Sequence, residues 1–350
     1  MGIEHALGLA RGAGGVAEPR RLVLVEAAPA GVGGPPIRAL VVYNSNPAAV
    51  APDRATVLRG LARPDLFTVV LEHFQTDTAD WADIVLPATT QLEHWDVHLA
   101  YGHHYVALNR PSIDPVGEAL PNSEIFRRIA ARMHLDHPAL RDDDLAIIRQ
   151  SLEHAGPNFA GVTLEALLEN GWMRLALPRP YLPFAEGGFP TPSGRCELVS
   201  ERLAAMGLDP VPTYTAPYES PERAPDLAAR YPLTLISSPA HQFLNSTFVN
   251  LAPLRHAARE PELVIHPADA ATRDVVSGIR VAVHNDRGEF LAVARVDDGV
   301  RQGTVWAPSI WWGKFARDGH NANHTTSQRE TDLGHGPVFY DNLVEVSPAD

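Results

Sequence analysis

The sequence predicts an α/β domain followed by a small β-barrel, and three patterns carry that reading. Apolar runs at 37–43, 67–71 and 84–86 have the length and composition of buried parallel strands, with helical signals between them. A helix with recurring apolar positions follows at 122–133. From Tyr231 onward the pattern turns to several short strands with one brief helix.

The elements follow in chain order. Residues 1–36 are rich in Gly, Ala and Pro and are expected to pack poorly, with a turn at VGGPP (32–36) before the first strand. Pro52 and Asp53 open a helix to about Ala62, Pro in the first turn beside an acid. Strand, helix, strand, short helix, strand is a Rossmann-like, doubly wound pattern. Residues 89–121 read as a long polar and aromatic excursion, after which Asn122 or Ser123 caps a helix through Met133 whose apolar positions are Ile125, Phe126, Ile129 and Met133. Helices are expected at 144–153 and 164–170, then proline-laden coil at 178–230 that suits a chain draped over another surface. Strands are expected at 233–237, 263–266, 280–285, 290–296 and 304–307, a helix at 267–274, and a hairpin turn at Asn285-Asp286-Arg287-Gly288. The expected domains are a poorly structured segment 1–36, a partial Rossmann-like domain 37–136, a helical and proline-rich connection 137–230 and a barrel 231–350.

Composition narrows the function classes. A formal charge of −13 works against nucleic acid or an anionic membrane surface as partner. No run of eighteen apolar residues and no basic start followed by an apolar stretch occurs, so the reading is a soluble, cytoplasmic protein. Cys196 is the only cysteine, which excludes an internal disulfide framework. Lys314 is the only lysine against 28 arginines, a bias that with the Ala and Pro load points to a GC-rich bacterial genome.

Residues 65–87, DLFTVVLEHFQTDTADWADIVLP, join two strand patterns through a turn dense in hydrogen-bonding groups. Ligands of open α/β sheets sit at the carboxyl ends of the strands, where Glu72, His73, Gln75, Thr76, Asp77 and Thr78 follow the first run. The wording resembles the molybdopterin oxidoreductases of the dimethyl sulfoxide reductase family, in which T-[DE]-T-A-x-x-A-D-[IV]-[IV]-L-P belongs to a region that contacts the guanosine of a molybdopterin guanine dinucleotide. Here Thr76-Asp77-Thr78-Ala79 and Ala82-Asp83-Ile84-Val85-Leu86-Pro87 match it. Three further phrases occur in family order: VVYNSNPAAVAPD at 41–53, IDPVGEALPNSEIFRRIAARM at 113–133 and TPSGRCELVS at 191–200.

The resemblance covers about 35–348 and implies a barrel of the double-psi, aspartate decarboxylase-like kind at the C-terminal end. It also implies cofactor contacts. Guanine shows adjacent N–H donors that a carboxylate accepts in bidentate fashion, which suits Glu72; in isolation Glu72 reads only as a solvated strand-end acid. By position Asn44, Asn46, Thr76, Thr78, His94 and Asn122 match places where family members touch the dinucleotide. In the barrel, Ser237, His241 and Asn245 lie in a stretch resembling the loop around the pterin and its phosphates. Asn323, Thr325, Thr326 and Asp332, then Gly336-Pro337-Val338-Phe339, resemble the N-x-x-T…D…G-x-P-x-F ending; Tyr340 stands where several relatives carry Lys.

The family's iron–sulfur cysteines and molybdenum ligand are not visible, since an all-thiolate cluster needs four cysteines. The resemblance therefore implies the C-terminal half of a molybdenum-dependent oxidoreductase, a fragment or one piece of a split enzyme, inactive alone and partnered by a missing catalytic half. The cofactor is bis-molybdopterin guanine dinucleotide, with the molybdenum ligand and any iron–sulfur cluster outside this chain. The alternative is a non-catalytic binding or assembly subunit that completes a separately encoded catalytic half. No catalytic and no metal-ligating residue is assigned. Glu93, His94, Asp96, His98, His103 and His104 form no H-E-x-x-H motif and read better as a half-buried aromatic loop than as a metal site. The Gly12–Gly15 cluster follows no strand and lacks the G-x-G-x-x-G form of a nicotinamide site. Cys196 reads as a small buried hydrophobe rather than a nucleophile.

Overall fold

A computed structural model describes residues 37–349; the expectation for 1–36 lies outside them. Two compact units separate, one of 37–86 with 216–349 and one of 87–215. This grouping cuts across the expected boundaries at 136 and 230, because the first sheet packs with the barrel.

The first unit begins with β1 (Ala39–Tyr43), α1 (Pro47–Val50), α2 (Arg54–Leu61), β2 (Phe67–Glu72) and β3 (Ile84–Pro87). β1 and β2 pair in parallel, Tyr43 opposite Leu71, in a sheet of order β1-β2-β3. The order is sequential, so the strand-order reversal of a doubly wound sheet is not seen among the described strands. Asp53, not Pro52, starts α2: it is the N-cap, with its carboxylate accepting from Thr56 N. Ala48, Val57 and Leu61 pack with Leu40 on one side of the sheet, and Val42, Val70 and Ala79 form a second small cluster. Val41, Phe67, Ile84 and Val85 stay exposed, 52%, 48%, 43% and 39%. The expectation of buried strands is thus corrected. Apolar residues on both faces of a run predict two covered faces, and here helices cover only one.

The second unit holds β4 (Asp96–Leu99), β5 (Tyr105–Asn109), α3 (Asn122–Arg132), α4 (Asp144–Glu153), α5 (Leu164–Asn170), β6 (Trp172–Arg174) and α6 (Glu201–Ala205). The expected excursion at 89–121 contains the β4–β5 hairpin, and β6 joins it in an antiparallel sheet. Val106 and Leu108 of β5 bury against Ile148, Leu152, Leu164 and Leu167 of α4 and α5. Helices at 144–153 and 164–170 form where expected, capped by Asp143 and Thr163. The cap of α3 is a correction: Pro121 holds the N-cap position, Asn122 is the first helical residue, and Ser123 Oγ donates to Asp144 at 2.5 Å. Met133 of the expected apolar face is exposed, and Ala130 is buried instead.

The barrel follows α7 (Pro225–Arg230) and comprises β7 (Leu233–Ile236), α8 (Ala252–Ala258), β8 (Glu262–Ile265), α9 (Pro267–Ala271), β9 (Arg280–Asn285), β10 (Gly288–Val296), β11 (Thr304–Trp306) and β12 (Leu343–Pro348). Six strands close in the order β10-β8-β11-β7-β12-β9. Closure removes sheet edges. Alternate residues point inward, among them Leu233 and Leu235, Val281 and Val283, Val344 and Val346, all at most 2% exposed. β9 and β10 turn through Asp286 and Arg287, with Gly288 opposite Asn285. α8 and β12 were not expected. The latter, LVEVSP, is interrupted by charge and proline and reads weakly as a strand, yet its pairing with β7 and β9 closes the barrel.

A buried ion pair joins the small sheet to the barrel. Arg54 of α2 meets Asp77 at 3.2 Å with both side chains 5% exposed. Arg54 also donates to Ala48 O and Gly319 O, while Asp77 Oδ2 accepts from Gly313 N at 2.5 Å. Burial pulls the Arg54 pKa below its ordinary value, and Asp77 opposes that shift. His324 lies beside the pair, 3.4 Å from Arg54 Nη1. Burial, then the neighbouring His320 and Arg54, push its pKa from 6.5 down to about 3.

Two outcomes follow from this cluster. Arg54→Met strands a buried carboxylate and is expected to cost about 3–5 kcal/mol in urea unfolding, whereas Arg54→Met with Asp77→Leu recovers part of it; a loss below about 1 kcal/mol for the single variant would contradict this account of the pair. His324 is neutral in the fold, and an unfolded chain takes up a proton below about pH 6.5. Its contribution to stability is therefore complete above that pH and falls as pH drops from about 6.5 to 3, by at most about 1.4 kcal/mol per pH unit. His324→Gln should flatten the pH dependence of the unfolding midpoint over that window; an unchanged slope would contradict it.

Candidate functional site

The parallel pairing of β1 and β2 sets two of the sequence-identified residues side by side at the carboxyl edge of the sheet. Asn44 leaves β1 in the left-handed region, φ 47°, and donates its amide to Leu71 O at 3.1 Å. Glu72 ends β2 half-buried, its Oε1 accepting from His73 N at 2.8 Å. Its Oε2 has no partner among the described residues. Burial raises the carboxyl pKa, partly opposed by the His73 amide. His73, Phe74 and Gln75 are exposed, and the chain then dives, with Thr76, Asp77, Thr78 and Ala79 all buried.

Several residues assigned to the cofactor instead spend their side-chain atoms inside the protein. Thr78 donates to Asn46 Oδ1 at 2.8 Å while its hydroxyl oxygen accepts from Ala48 N at 2.9 Å. Thr76 Oγ1 accepts from Ala79 N. Asn323 donates to Ala49 O at 3.0 Å, and the Thr326 hydroxyl accepts from Asp53 N and donates to Asn323. Thr76, Thr78, Asn323 and Thr326 are at most 3% exposed and their side-chain polar atoms are hydrogen-bonded within the protein, which shapes these loops. Thr325 likewise donates to Ala322 O. Asn46 differs. Its Nδ2 is buried and has no hydrogen-bond partner.

On the barrel, Ser237 is half-buried and His241 and Asn245 are exposed, Asn245 with φ 56°. The loop carrying them is fixed from beneath. Phe243 meets Trp311 edge-on at 5.3 Å, Ser309 Oγ accepts from Ala240 N, and Trp312 Nε1 donates to Ser246 O at 2.9 Å. Tyr340 is 52% exposed next to the buried Val338.

In the unit of 87–215, His94 Nδ1 lies 2.9 Å from Thr89 Oγ1, and Asn122 is half-buried at the start of α3. Glu93 is buried and accepts from Thr90 N and Val116 N, both at 2.7 Å, so it organises its own loop. Among the described residues no three His, Cys, Asp or Glu side chains gather as a metal site. Cys196 is exposed, which corrects the expectation of burial; the surrounding coil has no core to receive it. Arg54, Gly313 and Lys314 were missed. Helix periodicity hides a buried Arg, and only the rarity of lysine marked Lys314.

The donor and acceptor set fits a purine dinucleotide of the expected kind. Glu72 offers an acceptor for a guanine N–H edge, and the orphaned Asn46 Nδ2, at the start of α1, is a donor that a ribose or phosphate oxygen would satisfy. The half-buried Ser237 hydroxyl and the exposed His241 imidazole and Asn245 amide add both kinds.

Comparison with known proteins agrees. Residues 25–132 match the family described as "Molybdopterin oxidoreductase" and residues 233–343 the "Molydopterin dinucleotide binding domain". The chain is 37% identical over 313 residues to "Probable oxidoreductase YoaE" of Bacillus subtilis (strain 168), covering 89% of this chain and 44% of that protein. It is 31% identical over 293 residues to "Dimethyl sulfoxide/trimethylamine N-oxide reductase" of Cereibacter sphaeroides, covering 77% and 35%. The solved structure of acetylene hydratase from Pelobacter acetylenicus superposes with a TM-score of 0.75 at 25% identity, covering 90% of this chain and 44% of that one. The chain thus spans less than half the length of the relatives it matches. The matched barrel domain is described as binding a molydopterin dinucleotide, and with the dimethyl sulfoxide reductase relatives this supports a cofactor of the molybdopterin guanine dinucleotide class. By both domain matches and by these relatives, the chain belongs to the molybdopterin oxidoreductase family, among the relatives of dimethyl sulfoxide reductase.

Proposed function

We propose that this chain is the cofactor-holding C-terminal portion of a molybdenum-dependent oxidoreductase that transfers oxygen atoms or electron pairs. The observation that carries the reading is the strand-end Glu72, half-buried with one oxygen unpaired beside the left-handed Asn44. When bound, the cofactor supplies the redox-active metal. The residues of this chain bind and orient it. Glu72 accepts from the guanine edge, Asn46 Nδ2 donates to a ribose or phosphate oxygen, and Ser237, His241, Asn245 and Tyr340 face the pterin and its phosphates. The barrel is read as double-psi, a reading supported by its mixture of parallel pairs, β10 with β8 and β11 with β7, and antiparallel ones.

A second reading, a non-catalytic subunit that completes a separate catalytic half, is favoured by the exposed apolar coil. Leu182, Phe184, Leu198 and Tyr214 are 64%, 50%, 78% and 75% exposed. Both readings place another polypeptide surface over this strap, and both leave the metal ligand to a segment outside it. Co-expression with an upstream cysteine-bearing half separates them: molybdenum-dependent turnover of a sulfoxide, oxyanion or formate requires cofactor contacts from this chain under the first reading and not under the second.

Glu72→Gln is expected to weaken guanosine monophosphate binding by about 1.5–3 kcal/mol, the scale of a hydrogen bond to a charged group, with cytidine monophosphate less affected. Equal losses for both nucleotides, or none, in calorimetric titration would refute the guanine assignment. Limited proteolysis of the isolated chain should cut first within 178–215 and leave the closed barrel intact. Slow amide exchange across that stretch in a monodisperse chain would show that it has a core of its own.

A further inference from the structure

The loop that follows Glu72 is gripped from the barrel side by a single short segment, Trp312-Gly313-Lys314. Lys314 Nζ donates to Gln75 O at 2.7 Å and Thr76 O at 3.2 Å and pairs with Asp80 at 2.5 Å. Gln75 Nε2 in turn donates to the other Asp80 oxygen at 2.8 Å. The amide of Gly313 donates to Asp77 Oδ2 at 2.5 Å, and that of Lys314 reaches Asp77 Oδ1 at 3.4 Å. A Cβ on Gly313 would run into the Arg54 guanidinium and the Gly319 carbonyl, so the segment can approach this closely only with glycine there. Trp312, stacked on Phe315 with ring centroids 5.8 Å apart, ties the same segment to the loop of Asn245 through its bond to Ser246 O.

This lysine therefore fixes the backbone three and four residues beyond Glu72, in a stretch whose side chains His73, Phe74 and Gln75 are otherwise exposed. An ammonium has three donors, and here two are taken by carbonyls of the loop and one by the acid that closes it. An exposed three-residue excursion between a strand end and a buried anchor is free to re-aim the strand-end carboxylate unless its far side is held. The chain's one lysine stands where that hold is made.

We propose that Lys314 is a positioning residue that sets the aim of Glu72 and thereby the base selectivity of the dinucleotide site, linking the nucleotide-reading loop to the barrel loop at 237–250. The proposal rests on the guanine reading of Glu72. Lys314 itself touches no base. It acts by narrowing the conformations of the 73–76 backbone, so its loss lowers discrimination rather than abolishing binding.

The test uses the full chain with guanosine monophosphate and cytidine monophosphate as probes, titrated against wild type, Lys314→Met and Lys314→Arg, with amide exchange of residues 72–80 followed in parallel. Lys314→Met is expected to lower the guanosine-to-cytidine affinity ratio about tenfold, the scale of one lost hydrogen bond, and to speed exchange at 73–76. Lys314→Arg, which keeps the charge and can still donate to both carbonyls, should restore most of the ratio. A general loss of fold would weaken both nucleotides alike and would not be rescued, which overturns the proposal. So does a ratio that survives in Lys314→Met when the wild type is selective; that result leaves the guanine reading standing. A wild-type chain with no preference between the two nucleotides overturns the guanine reading and the proposal together.

Discussion

A carboxylate placed where only 5% of its side chain is exposed must be compensated from every side, and Asp77 is compensated by elements more than two hundred residues apart in sequence. Arg54 reaches it from α2, and the amides of Gly313 and Lys314 reach it from the barrel. Much of the local geometry follows from that requirement. The helix bearing Arg54 must lie with its side chain turned inward, and Asp53 takes a left-handed conformation to start it there. The segment before Lys314 must carry glycine, and the loop after β2 must fold back. Removal of one partner leaves an uncompensated charge, so the pair acts more as a fixed registration of sheet against barrel than as a source of net stability.

That constraint changes the meaning of the T-D-T-A phrase. Its letters are polar and follow a strand end, so they read as ligand contacts, yet Thr76, Asp77 and Thr78 face inward and hold the turn through Ala79 N, Arg54 and Asn46. The residues left exposed are the less regular ones before it, from His73 to Gln75, with Glu72 half-buried at the strand end. The same holds in the barrel, where Asn321 and Asn323 both donate to Ala49 O. A motif of this kind specifies the shape of a site more than its chemistry.

Periodicity and capping made part of the fold legible. Arg280–Asn285 was read to the residue because its alternation is regular, and the helices expected at 144–153 and 164–170 form at those bounds, where Asp143 and Thr163 cap them. The hairpin of β4 and β5 was hidden by histidines and acids whose polarity suggested loop, although its inward residues Val106 and Leu108 are buried. β12 was hidden by Glu345 and Pro348. Of the candidate site, the Glu72 loop was found through its strand-end position, while Arg54 and Gly313 escaped because their roles depend on tertiary partners that no local pattern encodes.

The buried histidine beside Arg54 shows the same economy of function. His324 Nδ1 lies 3.2 Å from both the amide and the carbonyl of Asn321, and its ring lies 4.0 Å from that of His320. A charged imidazole would face a guanidinium across 3.4 Å, so the fold selects the neutral form and can use the ring only as packing and as a neutral hydrogen-bonding group. Arg54 and the two barrel amides are thus the groups that meet the Asp77 carboxylate. Glu72, the group proposed to read the base, lies outside this cluster at the end of β2, where half-burial raises the cost of leaving its charge unpaired. A carboxylate in that position gains more from a bidentate N–H donor than one in open solvent would, because the partner replaces hydration that burial has already removed.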